Sequence, residues 1–254
     1  MLKDNDQVKT GIALVTGGIG GIGTAICQRL AEDNATIVAT YIKAEKNYAK
    51  KWQKARNEEG LSADIIECDV SDFDSCQKAS RVIEKKYERV DILVNCAGIT
   101  RDAMLKKLKK KDWDAVIATN LDSVFNMTRS FIDGMKKRGY GRIINISSVN
   151  GQKGQFGQTN YSSSKAGMIG FTRALAVEVA DEGITVNCVC PGYVATAMVD
   201  AIPDHVKQAI ISQIPIGRLA APAEIANAVG FLAGKDSGYI TGTELAVNGG
   251  LWTG

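Results

Sequence analysis

The chain has 254 residues, 45% hydrophobic and 23% charged, with 31 Lys or Arg against 28 Asp or Glu. That mixture is neither disordered nor low-complexity, and a net charge of +3 is too even for a nucleic-acid binder. No apolar run approaches the roughly 18 residues of a membrane span. One histidine, His205, excludes sites built on several His ligands, so no metal is expected. The run from Met1 to Gln7 lacks the apolar core of a secretory signal, so a cytoplasmic location is expected. None of the six cysteines (27, 68, 76, 96, 188, 190) forms a C-x-x-C pair, and reduced, buried thiols are expected.

In chain order, short apolar runs at 12–15, 36–41, 64–68, 90–95, 142–146, 184–190 and 244–247 read as strands buried on both faces. Helical patterns lie between them, at 22–32, 75–87, 113–137 and 161–182. Strand–helix alternation without a linker predicts one doubly wound α/β domain over residues 1–254, with a parallel seven-stranded sheet of Rossmann-like kind.

The first strand runs into Thr16-Gly17-Gly18-Ile19-Gly20-Gly21-Ile22-Gly23 and then a helix, the setting of a dinucleotide fingerprint. Glycine permits the tight turn and a close approach of phosphate, and the helix N-terminus supplies amide donors. The second strand ends in Thr40-Tyr41-Ile42-Lys43-Ala44-Glu45-Lys46, with no acid at its tip to bind a ribose 2′-hydroxyl. Lys43 or Lys46 is instead placed to meet a 2′-phosphate, which favours NADPH over NADH.

The spacing of Thr16, Gly17, Gly21 and Gly23 resembles the short-chain dehydrogenase/reductase family. Gly20 departs from the basic residue that many NADPH-dependent members carry at its place. Cys68-Asp69-Val70 resembles the family's adenine-contacting Asp-Val, and Asn95-Cys96-Ala97-Gly98 its Asn-Asn-Ala-Gly, with Cys96 a departure. Pro191-Gly192-Tyr193-Val194-Ala195-Thr196 resembles its nicotinamide-contacting loop. With Lys43, the resemblance implies cofactor binding by Thr16, Gly17, Gly21, Ile22, Gly23, Tyr41, Asp69, Val70, Asn95, Ala97, Gly98, Tyr161, Lys165, Pro191, Gly192, Val194 and Thr196.

Tyr161 and Lys165 are four apart, on one face of a helix, where an ammonium is expected to lower the phenol's pKa from near 10. The run from Arg142 to Ser148 reads as a strand ending in a hydroxyl, followed by a glycine-rich loop to Tyr161. The family resemblance makes Asn120, Ser148, Tyr161 and Lys165 the catalytic set. It implies that Tyr161 gives a proton to a ketone oxygen, Ser148 bonds that oxygen, Lys165 holds the nicotinamide ribose and Asn120 holds a water.

Within the family, residues 98–102, 112–117 and 149–161 resemble the acetoacetyl-CoA reductases of polyhydroxybutyrate synthesis. That implies a pocket for a short β-ketoacyl-CoA shaped by Ser148, Gln155, Phe156, Gln158 and Tyr193, and a homotetramer. The alternative is a 3-oxoacyl-[acyl-carrier-protein] reductase; Val177 and Glu182 stand where those enzymes often bear basic docking residues, which favours CoA. A non-catalytic NADP-binding regulator is a further alternative on the same fold. Two features stay open: a lysine-rich run, 101–111, suited to phosphates or an acidic carrier, and a polar helical stretch, 199–215, suited to a lid.

Overall fold

A computed structural model describes residues 11–196, 199 and 203–254. The run from Met1 to Gln7 lies outside them, as do Asp200–Ile202 of the expected lid. Seven parallel strands form one sheet in the order β3-β2-β1-β4-β5-β6-β7. They are β1 (Ile12–Val15), β2 (Thr36–Tyr41), β3 (Ala63–Glu67), β4 (Ile92–Asn95), β5 (Gly141–Ile146), β6 (Ile184–Pro191) and β7 (Glu244–Val247). The order reverses at β1, whose Ala13 pairs with Ile37 of β2 on one side and Ile92 of β4 on the other. A crevice for a ligand opens outside the strand C-termini at such a switch point.

Alternation along each strand sends successive side chains to opposite faces. Ala13 and Val15 pack into a cluster with Ile26 and Leu30 of α1 (Gly21–Glu32) and Ile225 and Val229 of α9 (Pro222–Ala233). Leu14 goes to the other face, with Ile83 of α3 (Phe73–Tyr87), Met127 and Phe131 of α5 (Ser123–Arg138) and Val179 of α7 (Thr159–Val179). Leu14 and Met127 are fully buried, and each such side chain stabilises the fold by roughly 1.5–3 kcal/mol. β7 departs from the expected pattern: it closes the sheet at one edge, with Ala246 exposed and its other residues only partly buried.

Helix boundaries follow their caps. α3 starts two residues before the predicted position because the Asp72 carboxylate accepts from Asp74 N (2.9 Å) and Ser75 N (3.2 Å), a cap worth about 1 kcal/mol. The predicted helix 113–137 is not continuous: α4 (Lys110–Ile117) passes into a π turn at Ala118–Asp122 before α5. α2 (Lys46–Glu58) and α9 escaped the periodicity reading; α2 buries only Ala49 and Trp52, too thin a stripe to stand out. The expected glycine loop before Tyr161 begins as a short helix, α6 (Val149–Lys153), capped by Ser148. In the expected lid, α8 (Asp204–Ile211) has no fully buried residue, and His205 is exposed. No helix among the described residues is long and apolar enough to cross a membrane.

Candidate active site

The turn after β1 is built to bring backbone close to a ligand. Gly17 has φ +60°, and a Cβ there would stand 3.0 Å from Ala97 Cα; one on Gly23 would stand 2.3 Å from Gly17 O. A Cβ on Gly21 would meet Thr196 Cγ2 at 3.1 Å, so the loop after β6 lies against the glycine turn. α1 begins at Gly21 with no side-chain cap and no acidic residue in its first turn. Its N-terminal amides and dipole therefore face the crevice uncompensated, the arrangement that holds a diphosphate.

Three expected cofactor residues also have structural partners. Thr16 is buried, and its Oγ accepts from Cys96 N (2.9 Å) and Ala97 N (3.1 Å), tying β1 to the end of β4. Asn95 is buried and donates to Asn145 Oδ1 at 2.8 Å, while Asn145 donates to Thr172 Oγ1 at 2.8 Å, linking β4, β5 and α7. Asp69 is exposed and closes an Asx turn, accepting from Ser71 N at 3.0 Å and Ser71 Oγ at 2.7 Å. The polar link from Asn145 to Thr172 was missed in the sequence, although an Asn inside the apolar run of β5 is its signal.

Other residues expected to meet a cofactor stand at the ends of β2, β4 and β6. Tyr41 is buried at the end of β2, Lys43 is exposed just beyond it, and Val70 is buried with its carbonyl accepting from Asn126 (3.0 Å). Pro191 ends β6, and Gly192 follows so close to Asn248 that a Cβ would stand 2.9 Å from Asn248 Cα. Val194 is pinned by a bridge to Ala220, with Ala195 N donating to Ala220 O at 2.8 Å. Gly98 is exposed, and a Cβ on it would lie 3.3 Å from Asn120 Oδ1 and 3.5 Å from Lys165 Nζ.

The four residues expected to be catalytic lie at the same end of the sheet. Ser148 follows β5 and caps α6, its Oγ accepting from Asn150 N at 3.1 Å. Tyr161 and Lys165 share α7, with Nζ 5.6 Å from the centre of the phenol ring. Lys165 is buried and donates to Ile146 O at 2.7 Å. Asn120 sits in the π turn; its amide accepts from Ile99 N (2.8 Å) and donates to Ile99 O (3.0 Å) and Ser164 Oγ (3.2 Å).

Burial sets the charges. It lowers Lys165 to about 8. It raises Tyr161 to about 12, against the opposing pull of a hydrogen bond with Ser148. The expected lowering of the phenol by Lys165 is not seen in the chain alone: loss of solvent dominates, and the charge of Asp102 pushes the same way. A protonated phenol beside a serine hydroxyl can donate a proton to a carbonyl oxygen that the serine also meets.

The expected substrate residues are only partly arranged for that role. Tyr193 is half-buried beside the site, and burial raises its phenol. Gln158 has its amide engaged, accepting from Asn150 Nδ2 at 2.9 Å and donating to Asp102 at 2.7 Å. Gln155 is exposed, and Phe156 projects from the loop at 83% exposure, so neither narrows a pocket in this arrangement.

The parallel sheet, the glycine turn at its switch point and the Ser–Tyr–Lys cluster at the strand ends define a nucleotide-dependent oxidoreductase of Rossmann-like fold. The chain belongs to the short chain dehydrogenase family, which it matches over residues 11–207. It is 58% identical to the acetoacetyl-CoA reductase of Allochromatium vinosum, over 95% of this chain and 98% of that one. Identity to the acetoacetyl-CoA reductase of Cupriavidus necator is 52%, over 96% and 98%. The 3-oxoacyl-[acyl-carrier-protein] reductase FabG of Vibrio harveyi is similar at 44%, over 95% and 97%.

Proposed function

We propose that the chain is an NADPH-dependent acetoacetyl-CoA reductase producing 3-hydroxybutyryl-CoA, as polyhydroxybutyrate synthesis requires. The observation that carries this reading is the junction of Ser148, Tyr161 and Lys165 at the strand ends, in a chain 58% and 52% identical to two near full-length relatives that bear that name. The uncapped N-terminus of α1 and the glycine cradle fit a dinucleotide, with Gly17, Gly21, Ile22 and Gly23 holding its diphosphate. Lys43 and Lys46 are exposed, without an ion pair among the described residues, and would meet a 2′-phosphate. Glu45, the acid nearest them in sequence, has its carboxylate turned to Ile42 N at 3.2 Å. NADPH supplies the hydride when bound.

The chain's residues do the rest. Tyr161 gives its proton to the substrate's ketone oxygen, and Ser148 bonds that oxygen as negative charge develops. Lys165 holds the nicotinamide ribose and restores charge beside Tyr161, Asn120 holds the loop after β4 and an attached water, and Val194 and Thr196 receive the carboxamide. Such preorganised donors contribute on the order of a few kcal/mol each to the transition state. Val177 is exposed, and Glu182 is paired with Lys136 at 2.8 Å, which leaves that end of α7 without a basic dock for a carrier protein and favours CoA. Six unpaired cysteines suit a reducing cytoplasm, and exposed Phe125, Phe231 and Tyr239 suit a homotetramer.

Initial rates with acetoacetyl-CoA, measured with NADPH and NADH in parallel, test the reading. Faster oxidation of NADPH is expected; preference for NADH would overturn the cofactor, and a carrier-protein rate many-fold above the CoA rate would overturn the substrate. Tyr161→Phe is expected to lower kcat by at least about a hundredfold while NADPH still binds in a fluorescence titration.

A further inference from the structure

Residues 101–114 hold six Lys or Arg against three Asp, an excess equal to the whole chain's +3. Of the cations, Lys106, Lys107, Lys109 and Lys111 are exposed and have no ion pair among the described residues, whereas Lys110 pairs with Asp114. Three of the lysines, 109 to 111, crowd the N-terminus of α4, which no side chain caps. Cations there oppose the helix dipole. Asp112 in the first turn and the Lys110–Asp114 pair offset part of that cost, and the lysine excess that remains marks a place shaped by something outside the chain.

The segment is also fixed in place. The buried amide of Asn160 donates to Arg101 O at 2.9 Å and Asp112 O at 3.4 Å, closing both ends of the lysine run onto the residue before Tyr161. Ala103 N donates to Gly157 O at 2.9 Å, and Gln158 to Asp102 at 2.7 Å. The charge of Asp102 is felt by both Tyr161 and Tyr193. The lysines therefore stand on the rim of the candidate active site, beside the exposed apolar side chains of Met104, Leu105 and Phe156.

We propose that residues 101–111 are a phosphate-binding rim for the nucleotide end of the acyl-CoA, a role that rests on the acyl-CoA reading above. The 3′-phosphate, a monoester close to doubly charged at neutral pH, and the diphosphate meet Lys106, Lys107, Lys109 and Lys111. Met104, Leu105 and Phe156 lie against the apolar stretches of the pantetheine arm. The rim explains the exposure of Phe156: it serves the handle of the substrate rather than its acyl group.

The test compares acetoacetyl-CoA with acetoacetyl-N-acetylcysteamine, which has the same reacting group and no phosphate. In a fourfold Lys→Ala variant at 106, 107, 109 and 111, the ratio of kcat/KM for the two substrates is expected to fall about tenfold, through KM. The 3′-dephospho-CoA thioester should lose less, and Lys→Arg at the same positions should restore the ratio. The wild-type ratio should decline with salt while the alanine variant's stays flat. Titration of CoA into enzyme saturated with NADP+ gives a readout apart from turnover, and the variant should bind it about tenfold more weakly. An unchanged ratio, or an equal loss with both substrates, overturns the rim. A larger loss with acetoacetyl carrier protein than with the CoA ester overturns it in favour of a protein dock. If wild type reduces the cysteamine ester and not acetoacetyl-CoA, the acyl-CoA reading itself fails.

Discussion

Lys165 is an ammonium carried into the sheet's edge, 4% exposed, with Ile146 O as its near partner. Its ordinary value of 10.5 falls to about 8 because the interior penalises the charged form. Between about pH 8 and 10.5 the unfolded chain keeps the proton that the native chain has shed, so the stability of the native chain rises with pH across that window. Below it both states are protonated and the penalty is complete. Lys165→Met, which removes the charge at similar volume, is expected to abolish turnover. In urea unfolding, wild type should gain a few kcal/mol on the variant between pH 8 and 10. A pH-independent difference would show that Lys165 is solvated in the native state. Tyr161 is shifted the other way for the same reason, and at neutral pH it stays a proton donor rather than a phenolate.

At the scale of the element, the π turn between α4 and α5 does the positioning. Val116, Asn120, Val124, Met127 and Phe131 run along one buried face, so Asn120 is the polar member of an apolar stripe. A π turn inside a helix often marks a functional site. Here it carries an amide that satisfies both the N–H and the C=O of Ile99 in the loop beyond β4. Asn120→Ala leaves the partly buried N–H and C=O of Ile99 without that partner and removes one of the two bonds of Ser164 Oγ, which keeps Tyr161 O. Thermal unfolding should show a loss of about 2–3 kcal/mol, on the order of 5–10 °C in Tm, together with lower kcat. Retained stability with lost activity would instead assign Asn120 to chemistry alone.

Across the whole molecule, the two ends of the sheet divide the work. The candidate active site gathers at the strand C-termini, and a buried carboxylate held by two partly exposed arginines closes the N-terminal end. There Asp91, fully buried, accepts from Ile12 N at 2.8 Å and from Arg89 Nη2 at 2.6 Å, with Arg138 Nε 3.9 Å away. Asp91→Ala leaves Ile12 N without its acceptor and Arg138 without its counter-ion, while the half-exposed Arg89 turns to water; a loss of about 1–3 kcal/mol and a lower urea midpoint are expected. The kcat of the folded fraction should stay at the wild-type value, because no group at the chemical end moves. A fall in kcat parallel to stability would show that the two ends are coupled.

The strands, the glycine turn and the Tyr161–Lys165 pair were legible because the periods of strand and helix are local, and three of the seven strands have the boundaries the pattern predicts. The family's motifs added Asn120 and Ser148, which periodicity by itself would pass over as ordinary polar residues. The sequence could not separate residues that face a ligand from residues that hold the loops. Thr16 and Cys96 are 80 positions apart, and only the pairing of β1 with β4 brings them to 2.9 Å. Nor did spacing give the direction of the Tyr161 shift, since four residues of separation report a neighbour's charge and say nothing of lost water. Composition, charge and pattern determined the class of fold and the chemistry it carries. Tertiary structure decided which polar groups are buried, which are already satisfied and where the lysine run stands, because desolvation and long-range hydrogen bonds exist only once the chain has closed on itself.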